Sequence, residues 1–565
     1  MSQPQAGQAL EQLAAEYWEF RLQDEPLMAT QLGDRRYDDR LPDITPDGRR
    51  RREDKYRSII GRSEALPLAA LSDAGRLTLT ALLVDAGSLL DYSQCRLEEW
   101  ALDPLQGPQI EFSNVESYQP IDTPEQGRAM VKRWAAMGSY FDSLIANLER
   151  GLDAGKTPVA ICTEKVIDEL RQTLGSPDSE WTMLRPTSVP HAGWSDQDRR
   201  QFSEGLAGAV RDSVRPAFAR FLEFLESKAL PKARPQERPG IGHIPGGREA
   251  YARLIRYHTS LELTPEELHQ TGLREVARIN AELVELGGKV FGIRDRKEIL
   301  RKLRTDPSLY FSRRDEVEEK AEEALDRARK AIGNWFGRLP QASCEVVRME
   351  PYEEKHSTIA YYRGPAEDGS RPGRYYINTS EPQTRPRYEA EALAYHESIP
   401  GHHLQIAIAQ ELEGIPEFRR NSGVTAFVEG WGLYAERLSD EMGLYSSDLD
   451  RVGVLSFDSW RACRLVVDTG MHAMKWTRAQ AIDFMLQNTA LAENNIVNEV
   501  DRYITWPGQA LAYKTGQLEM MRLQQEARRK LGGRFDIKKF HDVLLGNGAV
   551  PLKALRQLVE AYSGA

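Results

Sequence analysis

Three of the ten histidines, His396, His402 and His403, fall within eight residues of one another, and Glu397 directly follows the first. Imidazole nitrogens are preferred zinc ligands, and a glutamate beside a ligand histidine acts as the general base in zinc hydrolases. A zincin helix places its two histidines four residues apart on one face, and that position here is Pro400. The residue types therefore fit a zinc site, but the spacing does not.

The spacing is restored if the helix is interrupted. On a straight helix, which advances ~100° and ~1.5 Å per residue, His402 points about 120° away from His396 and His403 lies ~10 Å further along. Pro400 cannot donate to the carbonyl of His396 and clashes with it, and Gly401 tolerates unusual backbone angles. Looping out Pro-Gly leaves His-Glu-Ser-Ile-His, with His402 as second ligand. Looping out three residues selects His403 instead, and we prefer His402.

A third protein ligand is expected, because catalytic zinc sites commonly combine two histidines with one carboxylate. Segment 425–438 (TAFVEGWGLYAERL) is typical of an apolar helix, with Glu429 and Glu436 seven residues apart on one face. Glu429 lies in its more apolar half, where a carboxylate is costly to bury unless it is paired or metal-bound. We predict Glu429 as the ligand and Glu436 as a solvated residue or a partner of a ligand.

Asp468 and His472 lie four residues apart, on one face of an apolar helix. His472 could bind substrate or stabilise an oxyanion, with Asp468 orienting it or a ligand histidine. A self-contained internal Asp–His pair is an equally good interpretation.

Phenols and cations sit close together in segment 502–514. Tyr503 and Tyr513 are candidates for donating to an oxyanion, and Arg502 and Lys514 for binding a substrate carboxylate. For each of these residues, an ordinary place on a helix surface is the competing interpretation.

These residues define a chemistry. Zinc lowers the pKa of its water and polarises a carbonyl, and Glu397 takes the water proton and passes it to the leaving amine. One tyrosine or His472 stabilises the tetrahedral oxyanion.

The elements that must position these residues are mainly helices. Segments 125–150, 196–229 and 265–286 carry apolar residues at three- and four-residue spacing, and 313–335 is typical of a charge-laced helix. Two β-branched and aromatic runs, 358–363 and 373–378, predict a β-hairpin over 357–379, just before the zinc motif at 396–429. The hairpin could bind a peptide as an added strand, or simply cap helices.

Length and composition set the organisation. With 565 residues and 41% hydrophobic residues, the chain is too long for one compact lobe. We predict an N-terminal helical subdomain over 1–230, a Pro/Gly-rich linker over 231–247 and a catalytic helical subdomain over 248–565.

Several classes of protein are disfavoured. The net charge is −10 and basic residues form no stripe, which disfavours a nucleic-acid partner. The four cysteines are far apart without a C-x-x-C pair, and neither a signal peptide nor a run of 18 apolar residues is present. We expect a cytoplasmic protein that does not span a membrane.

The string YHESIPGHHLQ, preceded by RPGRYYINTSEP and followed by FVEGWGLYAERL, resembles the bacterial family called domain of unknown function 885. The resemblance extends from PLMATQLGDRRYDDRLPD near the start to RYITWPGQALAYKTG near the end. That family is similar to the gluzincin peptidases, the group of angiotensin-converting enzyme, the oligopeptidases and the thermostable carboxypeptidases. The resemblance implies a multi-helical gluzincin-like fold with a deep cleft, and a zinc peptidase activity.

We therefore expect a zinc metallopeptidase-like hydrolase that cleaves short peptides with Zn²⁺ held by His396, His402 and Glu429. The alternatives are a metal-dependent hydrolase or lyase acting on a non-peptide amide, and a non-catalytic binding protein that retains the fold.

Overall fold

The computed structural model describes residues 2–350, 354, 358–366, 369, 371–421 and 423–564. It is mainly helical, as expected. The helices before the sheet are α1 (Gln3–Asp24), α2 (Pro26–Gln31), α3 (Pro46–Glu64), α4 (Asp73–Cys95), α5 (Pro108–Asn114), α6 (Pro124–Asp153), α7 (Ala160–Gly175), α8 (Asp196–Ala209), α9 (Arg215–Phe224), α10 (Gly247–Thr259), α11 (Pro265–Phe291), α12 (Arg296–Thr305) and α13 (Arg314–Ala331).

The second half holds a small sheet and the helices of the candidate site. The strands are β1 (Cys344–Arg348), β2 (Ala360–Arg363) and β3 (Gly373–Ile377). The helices that follow are α14 (Ala390–Glu397), α15 (His402–Gln410), α16 (Glu417–Arg420), α17 (Thr425–Glu441), α18 (Asp448–Ala473), α19 (Arg478–Asn488), α20 (Glu493–Thr505), α21 (Leu511–Leu531), α22 (Ile537–Leu545) and α23 (Leu552–Gly564).

The sheet contains the predicted hairpin and one further strand. Strands β2 and β3 pair antiparallel, with Ala360 opposite Ile377 and Arg363 opposite Arg374. The hairpin is therefore confirmed, although residue 357 and part of its loop lie outside the described residues. Strand β1 pairs parallel with β3, so the order is β1-β3-β2. The sequence analysis missed β1, because its five residues carry no clear alternation of buried and exposed positions.

The predicted helices are confirmed with adjusted ends. Helix α11 begins with a capping box, in which the Thr264 hydroxyl accepts from the Glu267 backbone and the Glu267 carboxylate accepts from the Thr264 backbone. Segment 196–229 stays helical through two wide π turns, at Val210–Val214 and Leu225–Ala229. A wide turn adds a residue and shifts the face that follows it, which periodicity alone does not reveal.

The Pro/Gly-rich segment 231–247 contains short 3₁₀ turns and one isolated β-bridge, between Arg234 and Val159, before α10 begins at Gly247, and it packs against α18. A Cβ at Gly240 would lie 1.8 Å from the Met471 carbonyl oxygen, so the two backbones touch. The boundaries of the predicted subdomains stay predictions. One apolar cluster contains Val159, which directly precedes α7, and Cys162 of α7. It joins them to residues of α11, α18 and α20.

Helix α18 lies at the centre of the C-terminal half. It packs against α11, α14, α19 and α21, and it is buried all round from Val452 to His472, apart from Trp460. A helix buried on every side normally carries apolar residues throughout. This one also carries Asp458, Arg461, Arg464 and Asp468, so each of these polar groups needs a partner.

Asp458 receives its partners from three other helices. Its carboxylate accepts from Lys514 of α21 at 2.5 Å and from Arg437 of α17 at 3.1 Å, and Arg278 of α11 lies at 3.3 Å. Glu275 of α11 lies 3.1 Å from the same Lys514 ammonium. This buried network links four helices at one point.

No helix among the described residues is long and apolar enough to cross a membrane. The four cysteines are unpaired and buried. The cytoplasmic location stays a prediction.

We expect Asp458→Asn to lower the free energy of unfolding by about 3 to 5 kcal/mol, because removing one member of a buried ion network leaves buried cations uncompensated. Urea denaturation followed by tryptophan fluorescence measures this change. The matched control is Glu526→Gln, which removes a surface partner of Arg522 and should cost less than about 1 kcal/mol. Equal losses in the two variants would contradict the assignment of Asp458 as a structural centre.

Candidate metal centre

The zinc-like motif is broken where Pro400-Gly401 predicts. Helix α14 ends at Glu397 and α15 begins at His402, so four residues, 398–401, form a non-helical connection. Ser398 and Gly401 have ψ angles of −117° and −127°, far from helical values. The chain between His396 and His402 therefore turns sharply, and the two imidazoles come together with ring centroids 4.6 Å apart.

Two features hold this connection in place. A Cβ at position 401 would lie 1.9 Å from the His396 carbonyl oxygen, so only glycine fits there. The indole Nε1 of Trp431, on α17, donates to the Pro400 carbonyl at 2.9 Å and to the Gly401 carbonyl at 3.2 Å. Helix α17 therefore carries both Glu429 and the indole that holds the connection in place.

His396, His402 and Glu429 form a compact ligand set. Each offers an atom within 4.8 Å of the others, and no other group of three or more His, Cys, Asp or Glu among the described residues meets that criterion. The Nε2 atoms of His396 and His402 lie 3.7 Å and 3.8 Å from Glu429 Oε2. Ligands bound to one ion at ~2.0–2.2 Å lie roughly 3.2–3.8 Å apart. The spacing therefore fits one shared cation.

Glu436 completes the surroundings of His396. Its Oε1 atom lies 2.8 Å from His396 Nδ1, which leaves Nε2 facing Glu429. A carboxylate on the far nitrogen of a ligand histidine fixes the ring and its tautomer. Glu436 is fully buried, so the interpretation of a solvated residue was wrong and that of a partner to a ligand fits. Gly432 makes room, because a Cβ there would lie 2.5 Å from the His396 ring.

His403 faces the sheet and not this cluster. Its Nδ1 is 2.8 Å from the Tyr362 hydroxyl of β2, and its Nε2 is 3.2 Å from the Ala342 carbonyl. Both ring nitrogens are thus used by structural contacts. The structure places His402, and not His403, beside His396 and Glu429. His402 Nδ1 is buried without a hydrogen-bond partner among the described residues, unlike His396 Nδ1.

The electrostatics indicate a site that takes positive charge. Burial lowers the pKa of His396, but its interactions with Glu429 and Glu436 outweigh burial and raise the pKa to about 9. Burial raises the pKa of Glu429, and the two histidines reverse this and bring it to about 2. Burial lowers the pKa of His402 to about 4, helped by the charge of His396. Two carboxylates thus stabilise a cation at His396, and a metal ion would supply the same charge.

Glu397 is the last residue of α14 and is partly exposed, whereas His396 is buried. Burial raises its pKa to about 7, although the neighbouring charge of His396 opposes the rise. A carboxylate whose pKa lies near neutrality can both accept and return a proton at ordinary pH.

Asp468 and His472 do not contact this cluster or each other. The Tyr251 hydroxyl donates to Asp468 at 2.5 Å, and the Gly508 backbone donates to it at 3.1 Å. His472 lies between the Ile241 backbone N–H, at 3.0 Å, and the Tyr503 carbonyl, at 2.9 Å. Both ring nitrogens of His472 are therefore occupied, and its contacts give it a structural role in place of the predicted catalytic one.

The tyrosines of the 502–514 segment differ in accessibility. Tyr503 is buried, and its hydroxyl accepts from Arg464 at 2.9 Å and donates to Glu499 at 2.7 Å. These bonds leave it little freedom to donate to an oxyanion. Tyr513 is partly exposed, and the Arg464 guanidinium lies 4.3 Å from its ring centroid. The partial exposure of Tyr513 is therefore compatible with its predicted role as a donor to an oxyanion.

The two predicted carboxylate-binding cations are held by the protein itself. Lys514 is fully buried in the Asp458 network, where Asp458, Gln517 and Glu275 take its ammonium. These three partners account for its three N–H donors, so the predicted substrate-binding role does not fit. Arg502 pairs with Glu499 at 3.1 Å, and its Nε is buried without a partner among the described residues.

The sequence analysis missed Arg461 and Arg464. Both lie on α18, are more than nine-tenths buried, and have guanidinium carbons 4.2 Å and 4.5 Å from the Trp460 ring centroid. The available signal was two arginines three residues apart within an apolar helix, where a cation needs a partner just as Asp468 does.

The comparison with protein-family models identifies one family. The model of the family "Bacterial protein of unknown function (DUF885)" matches residues 26–559. No curated protein matches the chain.

The solved structures that share the fold include the following two. A protein described as "the putative lipoprotein from Colwellia psychrerythraea" is 26% identical, with a TM-score of 0.90 and 99% of each chain covered. A second, described as "a putative lipoprotein of unknown function from Shewanella oneidensis", is 19% identical, with a TM-score of 0.76 and coverage of 98% of this chain and 99% of that one. Because the family model spans nearly the whole sequence, the chain belongs to the bacterial family of unknown function 885.

Proposed function

We propose that this protein is a zinc-dependent hydrolase that cleaves peptide bonds in short peptides. The observation that carries the proposal is the convergence of His396 Nε2 and His402 Nε2 on one oxygen of Glu429, at 3.7 Å and 3.8 Å. Two histidines and one carboxylate are a ligand set that catalytic zinc sites use. A zinc ion held there would act as a Lewis acid and make water acidic enough to attack at neutral pH.

The residues of the chain then have separate tasks. Glu397 accepts a proton from the attacking water and returns it to the leaving amine, a role that its pKa of about 7 supports. Glu436 holds the ring of His396 in the orientation that presents Nε2. Of the two predicted tyrosines, Tyr513 is assigned donation to the developing oxyanion, because it is partly exposed whereas Tyr503 is buried.

The gluzincin-like fold and its deep cleft belong to this proposal. Glu397 and Glu429 are partly exposed, while His396 and His402 are buried. Such a pattern supports a recess whose floor carries the histidines and whose open side carries the two carboxylates. Strand β2 contacts both α14 and α15, so an edge of the sheet lies beside the recess.

We expect purified wild-type protein to contain about one zinc ion per chain by elemental analysis and His402→Ala to lose it, because two remaining ligands hold zinc poorly. His403→Ala is the matched control: the neighbouring imidazole is also buried, but its nitrogens bind Tyr362 and Ala342. Circular dichroism establishes that both variants are folded. Loss of metal from His403→Ala and not from His402→Ala would refute the ligand assignment, and a metal-free wild type would remove the basis of the proposal.

Glu397→Gln should keep the metal and lose turnover by about 10² to 10⁴-fold, because glutamine preserves the shape of the side chain but cannot accept the proton. Hydrolysis of a library of internally quenched short peptides measures turnover, and elemental analysis measures metal. A Glu397→Gln variant as active as the wild type would sink the assigned role. A wild type that holds zinc but cleaves no peptide in the library would favour a non-peptide amide substrate.

A further inference from the structure

Arg461 is a buried cation without a contacting counter-ion among the residues that the structure describes. Its side chain is 6% exposed, and neither Nε nor Nη1 has a hydrogen-bond partner in the part of the chain that the structure describes. A guanidinium keeps its proton in proteins, so it cannot escape the cost of burial by becoming neutral. An uncompensated buried charge is strongly destabilising. The two free nitrogens therefore call for an acceptor from outside the chain.

Two aromatic rings and the packing of helix α18 define the position of the Arg461 guanidinium. Its guanidinium carbon lies 4.2 Å from the Trp460 ring centroid and 4.5 Å from that of Phe457, so two aromatic rings fix its position. Burial lowers the pKa of Arg461, and the carboxylates Glu436 and Glu429 are among the charges that oppose this. Arg461 lies on α18, which packs against α14 and α17, the helices that carry His396 and Glu429. It forms no ion pair with the residues of that centre among the described residues.

Two further arginines, Arg464 and Arg502, add positive charge to this region. Arg464, one turn along α18, and Arg502 of α20 share one carboxylate, Glu499, at 2.9 Å and 3.1 Å. Arg464 Nη1 and Arg502 Nε are also buried without partners among the described residues. Within the described part of the chain, these three guanidinium groups therefore have one contacting carboxylate between them.

We propose that Arg461, with Arg464 behind it, binds the free C-terminal carboxylate of a peptide whose scissile bond lies at the metal centre. A guanidinium presents N–H donors in a planar fork that matches a carboxylate, and its free Nε and Nη1 atoms are two of those donors. The C-terminal carboxylate is the one anion that every unmodified linear peptide carries, whatever its sequence. The proposal rests on the proposed function and narrows it: cleavage occurs close to the C-terminus of the substrate.

A rival role for Arg461 lies within the protein. Glu436 Oε2 is also buried without a partner among the described residues. A water bridging this oxygen to Arg461 would make the arginine a positioning residue for Glu436, and through it for His396. This role predicts weaker metal binding in an Arg461 variant, since loss of such support typically costs 10- to 100-fold in metal affinity. It predicts no preference for a substrate carboxylate.

Calorimetric binding to the metal-loaded Glu397→Gln protein separates these roles without relying on turnover. The probes are N-acetyl-trialanine, its C-terminal amide, and the amide of N-acetyl-Ala-Glu-Ala. We expect the acid to bind at least about tenfold more tightly than either amide, because hydrogen bonds between charged groups are the stronger kind. Arg461→Met should abolish the preference with zinc content unchanged, and Arg461→Lys should retain part of it. Arg451→Met, on the same helix but at the surface, should leave the preference intact.

The outcomes distinguish this inference from the proposed function. No preference for the acid, or no binding of any probe at millimolar concentration, overturns the inference. Loss of zinc in Arg461→Met with the preference kept also overturns it and favours the link to Glu436. Equal binding of the glutamate-containing amide and the acid removes the assignment to the C-terminus. A preference that depends on Arg461 in a protein without peptidase activity would support the carboxylate site and reject the hydrolysis.

Discussion

Buried charge is the constraint on which the C-terminal half of this protein depends. Helix α18 runs through the core, and its buried stretch from Val452 to His472 carries two aspartates and two arginines, most of which are matched by groups from other helices. Asp458 gathers cations from α11, α17 and α21, while Arg464 is matched from α20. If one helix slid along another, each buried ion would lose a partner that water cannot replace, and the fold would be destabilised. The charges thus set the relative positions of the helices around the candidate metal centre.

The same logic extends into the candidate site. Glu436 reaches His396 from α17, and the partly exposed Glu429 faces both histidines from the same helix. Helix α17 is itself held to α18 through Arg437 and Asp458. The structural ion network and the proposed catalytic residues therefore share one scaffold. Within it, Arg461 stands apart, since its partners among the described residues are aromatic rings and not carboxylates.

Much of this could be predicted from the sequence. The Pro400-Gly401 break follows from the stereochemistry of proline and glycine, and it predicts His402 as the second ligand. Helical periodicity and the aromatic runs of the hairpin are local signals, and these elements are present in the structure. Long-range pairing carries no such signal. That His472 would bind two backbone groups, or that Lys514 would be enclosed by Asp458 and Glu275, depends on helices that are distant in sequence.

The two nitrogens of the His396 ring show a further consequence of how helix α17 is placed. Glu429 and Glu436 are two turns apart on that helix, and they approach opposite nitrogens of one imidazole. The same helix holds the 400–401 connection through Trp431. Ligand alignment is thus completed when α17 docks, so its entropic cost is met by folding rather than by ion capture. An ion could then leave and return through the proposed recess, and metal exchange would proceed without unfolding the helices that surround it.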